Sequence, residues 1–238
     1  MTTESRLLLP GDPRWSRRRF LGAAATGVAA AATGVAVAGL AACGLDRAST
    51  PDESRDEGAS TAWAGELQDP PLDKPDVTFT DMHGKPFPFV ESTKGKLSVL
   101  FFGYTNCPDV CPVFLTTFAR AIEAIGSGPG SEAQLLFVGV DVKRDTPEQL
   151  RTFLGRINPT FLGLTASEAV IAKANAAVYN PPIEIEDDAD GDGVYAVGHS
   201  SKVFPFTADG VAHRIYPSDV RQQELVRDLP RLSAGTFR

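Results

Sequence analysis

The chain has 238 residues, 42% hydrophobic and 22% charged, with only 3 Cys and a formal net charge of −7. That length supplies the core of one compact domain plus a tail, or of two small domains, and three Cys cannot staple a disulfide-dense mini-protein. The charge is uneven: residues 1 to 42 hold five Arg against Glu4 and Asp12, a net of +3, which leaves −10 on the other 196 residues. An acidic body argues against nucleic acid as a partner, since phosphate binding needs clustered Lys and Arg. It suits basic proteins or cations.

Residues Leu21 to Ala42 carry no charge, are rich in Ala, Gly and Val, and follow Arg17-Arg18-Arg19-Phe20 directly. A basic segment before an apolar one is the pattern of an export signal, and Ser16-Arg17-Arg18-Arg19-Phe20-Leu21 resembles a twin-arginine motif. The stretch is also long enough for one transmembrane helix, but Ala and Gly contribute little transfer energy, so a signal is expected. It ends Leu40-Ala41-Ala42-Cys43-Gly44, which looks like a bacterial lipobox with Cys43 as the lipidated residue. The organisation expected is a signal over 1–42, a lipidated solvated tether over 43–75 rich in Ser, Thr, Pro and acidic residues, and a folded domain over 76–238. That places the body at the extracytoplasmic face of the cell membrane, held by a lipid anchor. With Cys43 lipidated, the two remaining thiols form a pair.

Val77 to Thr80 and Phe87 to Val90 flank the polar turn Asp81-Met82-His83-Gly84-Lys85 and predict a hairpin. Leu97 to Tyr104 is a near-continuous apolar run, expected as a strand buried on both faces. Val113, Phe114, Phe118, Ala121, Ile122 and Ile125 share one face of a helix predicted over 112–125, closed by a Gly-rich turn. Leu135 to Val142 predicts a second buried strand. Thr146 caps the next helix with Pro147 at its first position. Phe161 to Leu164 predicts a strand, Ser167 to Val178 a helix, Tyr195 to Val197 and Lys202 to Thr207 strands, Val211 to Tyr216 the return of a hairpin, and Ser218 to Leu232 a last helix. This order predicts an α/β domain with a central mixed sheet covered by helices on both faces and an N-terminal hairpin extension, and it fits a thioredoxin-like fold.

Cys107-Pro108-Asp109-Val110-Cys111-Pro112 lies between a buried strand and the mouth of a helix. Residues four apart meet on one helical face, and a helix N-terminus favours thiolate over thiol. Disulfide exchange, peroxide reduction and soft-metal binding are all open to such a pair. A purely structural disulfide is disfavoured, because so small a loop removes little unfolded-state entropy. A structural zinc site would need four ligands. Two thiolates suit Cu(I), and an added imidazole makes a three-ligand site that Cu(II) can also occupy. Three histidines are available: His83 in a hairpin turn, His213 on a hairpin strand, and His199 just before an apolar strand that a thioredoxin-like layout sets beside the Cys pair.

Phe101-Phe102-Gly103-Tyr104-Thr105-Asn106-Cys107-Pro108-Asp109-Val110-Cys111-Pro112 resembles the signature of the Sco/SenC family of copper-binding, thioredoxin-like assembly factors for cytochrome c oxidase. The resemblance extends to Val140-Asp141-Val142-Lys143-Arg144-Asp145-Thr146-Pro147 and to His199-Ser200, and spans about residues 76 to 232. It implies that Cys107, Cys111 and His199 are copper ligands and that Cys107 and Cys111 are also the redox pair. It further implies an extracytoplasmic metallochaperone delivering copper to the oxidase's binuclear copper site, with the copper-site subunit as partner and other exported copper chaperones as further candidates. The alternative activity is a thiol:disulfide oxidoreductase that keeps the oxidase's copper-ligand cysteines reduced. Asn106 and Gly198 depart from the family, which often has His and Asp at these positions.

Asp188-Ala189-Asp190-Gly191-Asp192-Gly193 resembles the start of a calcium loop, but its twelfth position falls on His199 rather than a bidentate Glu. The segment reads instead as an acidic surface loop whose charge could attract a basic partner.

Overall fold

The computed structural model of the chain describes residues 62–186 and 195–238. The expected signal, Cys43 and the acidic loop at Asp188 to Gly193 lie outside the described residues. The chain forms β1 (Glu66–Asp73), β2 (Thr78–Asp81), β3 (Pro86–Pro88), α1 (Phe89–Ser92), β4 (Ser98–Gly103), α2 (Val110–Ile125), β5 (Gln134–Gly139) and α3 (Pro147–Gly155). It continues through β6 (Leu162–Thr165), α4 (Glu168–Ala177), β7 (Glu184–Ile185), β8 (Val197–Gly198), β9 (Lys202–Phe206), β10 (Val211–Pro217) and α5 (Gln222–Ser233).

Eight strands form one sheet in the order β1-β10-β9-β4-β5-β6-β2-β3, while β7 and β8 pair as a separate ribbon. β4, β5 and β6 run parallel, linked by helical crossovers, and β9 joins β4 antiparallel. Their apolar runs are long because the central strands are covered twice: every residue of β4 is buried. Phe101, Phe137 and Gly163 are register neighbours on one face, where Phe101 meets Phe114 of α2 and Phe137 meets Phe153 of α3. α5 packs beside α2. On the other face Phe206 of β9 meets Phe89 of α1, and Val140 lies beside Ile171 of α4. The central mixed sheet covered on both faces is therefore present as the sequence predicts.

Three differences have physical causes. The segment expected as tether through Pro75 contains β1, which pairs with β10 on the outer edge. It reads as solvated because an edge strand keeps most side chains outward; only Leu72 is buried, and Pro70 and Pro71 sit where the register shifts. Upstream of it, Trp63 lies between the guanidinium groups of Arg214 and Arg231, at 4.2 and 3.7 Å, and the Ala64 amide donates to the buried Asp228 carboxylate at 2.9 Å. Second, Phe89 and Val90 leave the hairpin and start α1, which turns the Phe89 ring onto Phe79 and Phe206. Third, α2 begins at Val110 rather than Pro112, which takes Cys111 into its first turn. The cap at Thr146 is as expected, its side chain accepting from the Gln149 amide with Pro147 at the first helical position.

Candidate metal centre

β4 delivers the chain to the thiol loop at the sheet's edge. The Cys107 amide donates to the Tyr104 carbonyl at 3.1 Å, closing a tight turn, and three residues later α2 starts. The Asp109 side chain makes no capping hydrogen bond there, so the positive end of the helix faces the loop. Cys111 is fully buried and Cys107 is 8% exposed; both are free thiols. Gly103 makes the close approach possible: a Cβ at that position would lie 2.7 Å from the Cys111 Sγ and 2.7 Å from the Phe137 ring.

The antiparallel pairing of β9 with β4 brings in the third group. His199, between β8 and β9, places Nε2 3.7 Å from the Cys111 Sγ. Its ring meets Tyr104 and Phe101 edge-on, with centroids 5.5 and 6.3 Å apart. Nδ1 lies 2.9 Å from the Ser200 carbonyl, which can only accept, so Nδ1 carries a proton and donates there, leaving Nε2 directed at the sulfurs. A backbone carbonyl thus does for this imidazole what a carboxylate at position 198 would do. The ligand atoms of Cys107, Cys111 and His199 all lie within 4.8 Å of one another. Among the described residues no other such group of three occurs.

The two thiols are electrostatically unlike. Cys107 is lowered to about 4, first by the hydrogen bond from Cys111, with the Asp109 and Cys111 backbone amides and His199 adding to it against the opposing effect of burial. Cys111 is pushed up, because it donates that bond and because it is buried. The pair therefore holds one proton, on the inner sulfur, and presents a thiolate at the outer one. Two sulfurs and one imidazole nitrogen form a soft donor set of low coordination, the kind that holds Cu(I).

The other histidines stand elsewhere. His83 lies in the β2–β3 turn, where its amide and that of Lys85 donate to the Asp81 carboxylate. His213 pairs with Asp209 at 2.7 Å and stacks on Phe237 at 3.6 Å. Sequence reasoning placed Asp145 in a helix start and in the family-like segment Val140 to Pro147, but gave it no role at the site. Its buried carboxylate accepts from the Thr105 amide and hydroxyl at 2.8 and 2.7 Å and from the Asp141 amide at 3.0 Å, fixing the base of the thiol loop. Burial raises it to about 6, against the hydrogen bonds from Thr105 and Asp141. The roles of Arg144, quoted there as part of the same segment, and of Tyr195, read as the start of a strand, were also missed; the signal available was a dense charged turn directly behind a fully apolar strand.

The SCO1/SenC family profile matches residues 67–234. The chain belongs to the SCO1/SenC family. A Stutzerimonas stutzeri protein named for copper binding is 30% identical over 161 residues, 66% of this chain and 76% of its own length. The mitochondrial SCO2 protein of Saccharomyces cerevisiae is 34% identical over 124 residues, 51% of this chain and 40% of that protein. The copper-bound structure of Bradyrhizobium japonicum ScoI aligns with a TM-score of 0.58 at 30% identity, over 68% of this chain and 99% of that one. The thioredoxin-like fold of this SCO1/SenC protein is thus shared with solved relatives. The family match begins at Leu67, inside β1, in keeping with the edge strand being part of the domain.

Proposed function

We propose that the chain is an extracytoplasmic copper metallochaperone, which holds one copper ion as cargo through Cys107, Cys111 and His199 and delivers it to the binuclear copper site of cytochrome c oxidase. The observation that carries this reading is the convergence of those three ligand atoms within 4.8 Å. The copper-bound ScoI relative and the copper-binding name of the Stutzerimonas protein support the choice of metal. The Arg17-Arg18-Arg19 segment, the apolar stretch and the lipobox-like Leu40 to Gly44 support export and a lipid on Cys43, which fastens the domain to the outer face of the membrane. No helix among the described residues is long and apolar enough to cross a membrane.

The chemistry is ligand exchange. Cys107, the more exposed sulfur and the one already poised as thiolate, binds first; Cys111 must release its proton as it ligates, so loading is coupled to proton release. A three-coordinate ion near the surface leaves room for an incoming thiolate before an outgoing one departs. An anaerobic Cu(I) competition titration of the reduced chain tests this. One tight equivalent is expected, lost in Cys107→Ser and in Cys111→Ser and weakened in His199→Ala. Binding no tighter than that of the Ser variants would remove copper from the account.

The asymmetry of the thiols favours a second reading, a thiol:disulfide oxidoreductase for the oxidase's copper-ligand cysteines. Cys107 would attack as thiolate and Cys111 would resolve the mixed disulfide. Loss of copper binding in His199→Ala with disulfide exchange retained separates the two activities.

A further inference from the structure

The two halves of the site are 88 residues apart in sequence, and each is fastened to the same turn, residues 141–145. On the thiol side, Asp145 holds Thr105, two residues before Cys107. On the histidine side, Arg144 holds Tyr195, four residues before His199. The Arg144 Nε pairs with the Asp141 carboxylate, its Nη2 donates to the Tyr195 carbonyl at 3.1 Å, and its guanidinium carbon lies 3.5 Å from the centre of the Tyr195 ring. The Tyr195 hydroxyl donates back to Asp141 at 3.0 Å, closing the ring of contacts. The same guanidinium lies 6.0 Å from the centre of the Tyr104 ring, which is the ring that His199 meets edge-on. Between Tyr195 and His199 the backbone is held by the short ribbon of β8 with β7, by the Glu186 amide donating to the Ala196 carbonyl at 3.1 Å and by a hydrogen bond between the Val197 backbone and Tyr104. Gly198 contributes no side chain to orient the imidazole.

We propose that Arg144 is the positioning residue that holds His199 against the thiol pair, acting through Tyr195 and Asp141. The inference deepens the copper-carrier reading and rests on it for the metal, though the placement of the imidazole is independent of the metal. The guanidinium suits the role because it is planar and always charged. It can chelate a carboxylate, donate to a carbonyl and lie on a ring at the same time, which an ammonium cannot do.

The test compares the full-length wild-type chain with Arg144→Gln, Arg144→Lys, His199→Ala and the Arg144→Gln/His199→Ala pair. In the reduced protein without metal, long-range 1H–15N NMR reads the tautomer of His199 directly. Wild type is expected to show Nδ1–H, and Arg144→Gln an averaged imidazole, while the rest of the spectrum keeps its dispersion. Cu(I) affinity should fall about 10–100-fold in Arg144→Gln, the usual cost of removing a partner that orients a ligand. It should fall by less than about twofold when His199 is already Ala, because the substitution then has no imidazole to misplace. Arg144→Lys should fail to restore the Nδ1–H tautomer or the affinity. An unchanged His199 spectrum in Arg144→Gln overturns the proposal, as does full rescue by Lys, which would make the effect one of charge alone. An equal loss of affinity in the His199→Ala background also overturns it. A wild-type chain that binds no copper refutes the copper reading, and the tautomer measurement then decides the positioning role by itself.

Discussion

Gly103→Ala is the sharpest single perturbation of this site, because it adds one methyl group where two side chains already touch. The new Cβ would sit 2.7 Å from the Cys111 Sγ and equally close to the Phe137 ring, both on fully buried residues. Neither neighbour is the far end of a flexible chain. Cys111 is fixed in the first turn of α2, and Phe137 is wedged between Phe101 and Phe153, with centroids 6.1 and 5.7 Å away. Overpacking of this kind costs about 1–3 kcal/mol, which in a domain of this size lowers Tm by roughly 2–12 °C. The relief available is to push α2 outward, which carries Cys111 away from His199, so copper affinity should fall together with stability. Thermal and urea unfolding of the reduced protein, followed by Cu(I) competition, read the two effects. Gly155→Ala is the internal control: a Cβ there meets nothing within 4 Å, and the position lies at the end of α3. It should stabilise by about 0.4–1 kcal/mol, by reducing the freedom of the unfolded chain. A Gly103→Ala protein as stable as wild type, or one whose copper affinity is unchanged, would refute the steric argument.

Two further outcomes follow from the packing. The carboxyl of Asp145, raised by burial from 3.8 to about 6 in the folded protein, stabilises the fold fully only below pH about 4 and loses that contribution as pH rises through about 6. The stability of wild type relative to Asp145→Asn should therefore decline across that window, by an amount on the order of 3 kcal/mol at 1.36 kcal/mol per pH unit; paired urea unfolding curves at pH 4 and pH 7 that differ by the same amount would contradict it. Compared with deletion of residues 1–61, deletion of residues 1–75 also removes β1 and the Trp63 contacts, bares the edge of β10 and should lower Tm by more than about 5 °C further, as read by calorimetry.

The parts of the fold legible in the sequence are those where one physical cause acts on a continuous stretch. Leu97 to Tyr104 could be read as a buried strand because helices on both faces of β4 select for apolar residues at every position. The start of α3 could be read because Thr146 and Pro147 satisfy local backbone requirements. β1 escaped because an edge strand is selected for polarity, and Phe89 because its ring answers to Phe206, far along the chain. The three candidate ligands were legible through the family resemblance. From the residues alone, the thiol pair stood out while the choice among His83, His199 and His213 stayed open, since it depends on β9 lying beside β4. Asp141, Arg144 and Asp145 were legible as part of the family-like segment Val140 to Pro147, but not as the residues that tie the thiol loop to the histidine segment. Nothing in a single sequence shows that their turn reaches loops 40 positions earlier and about 50 later.

The place where the chain joins the sheet has a mechanical meaning. Residues upstream of Glu66 run past Tyr216, whose register partner Val203 lies opposite Phe101. The backbone therefore arrives at the end of the sheet where β4 releases the thiol loop, three strands or about 14 Å to the side. Any load applied through the preceding segment acts at that end, on an edge strand riveted by Trp63 and Asp228.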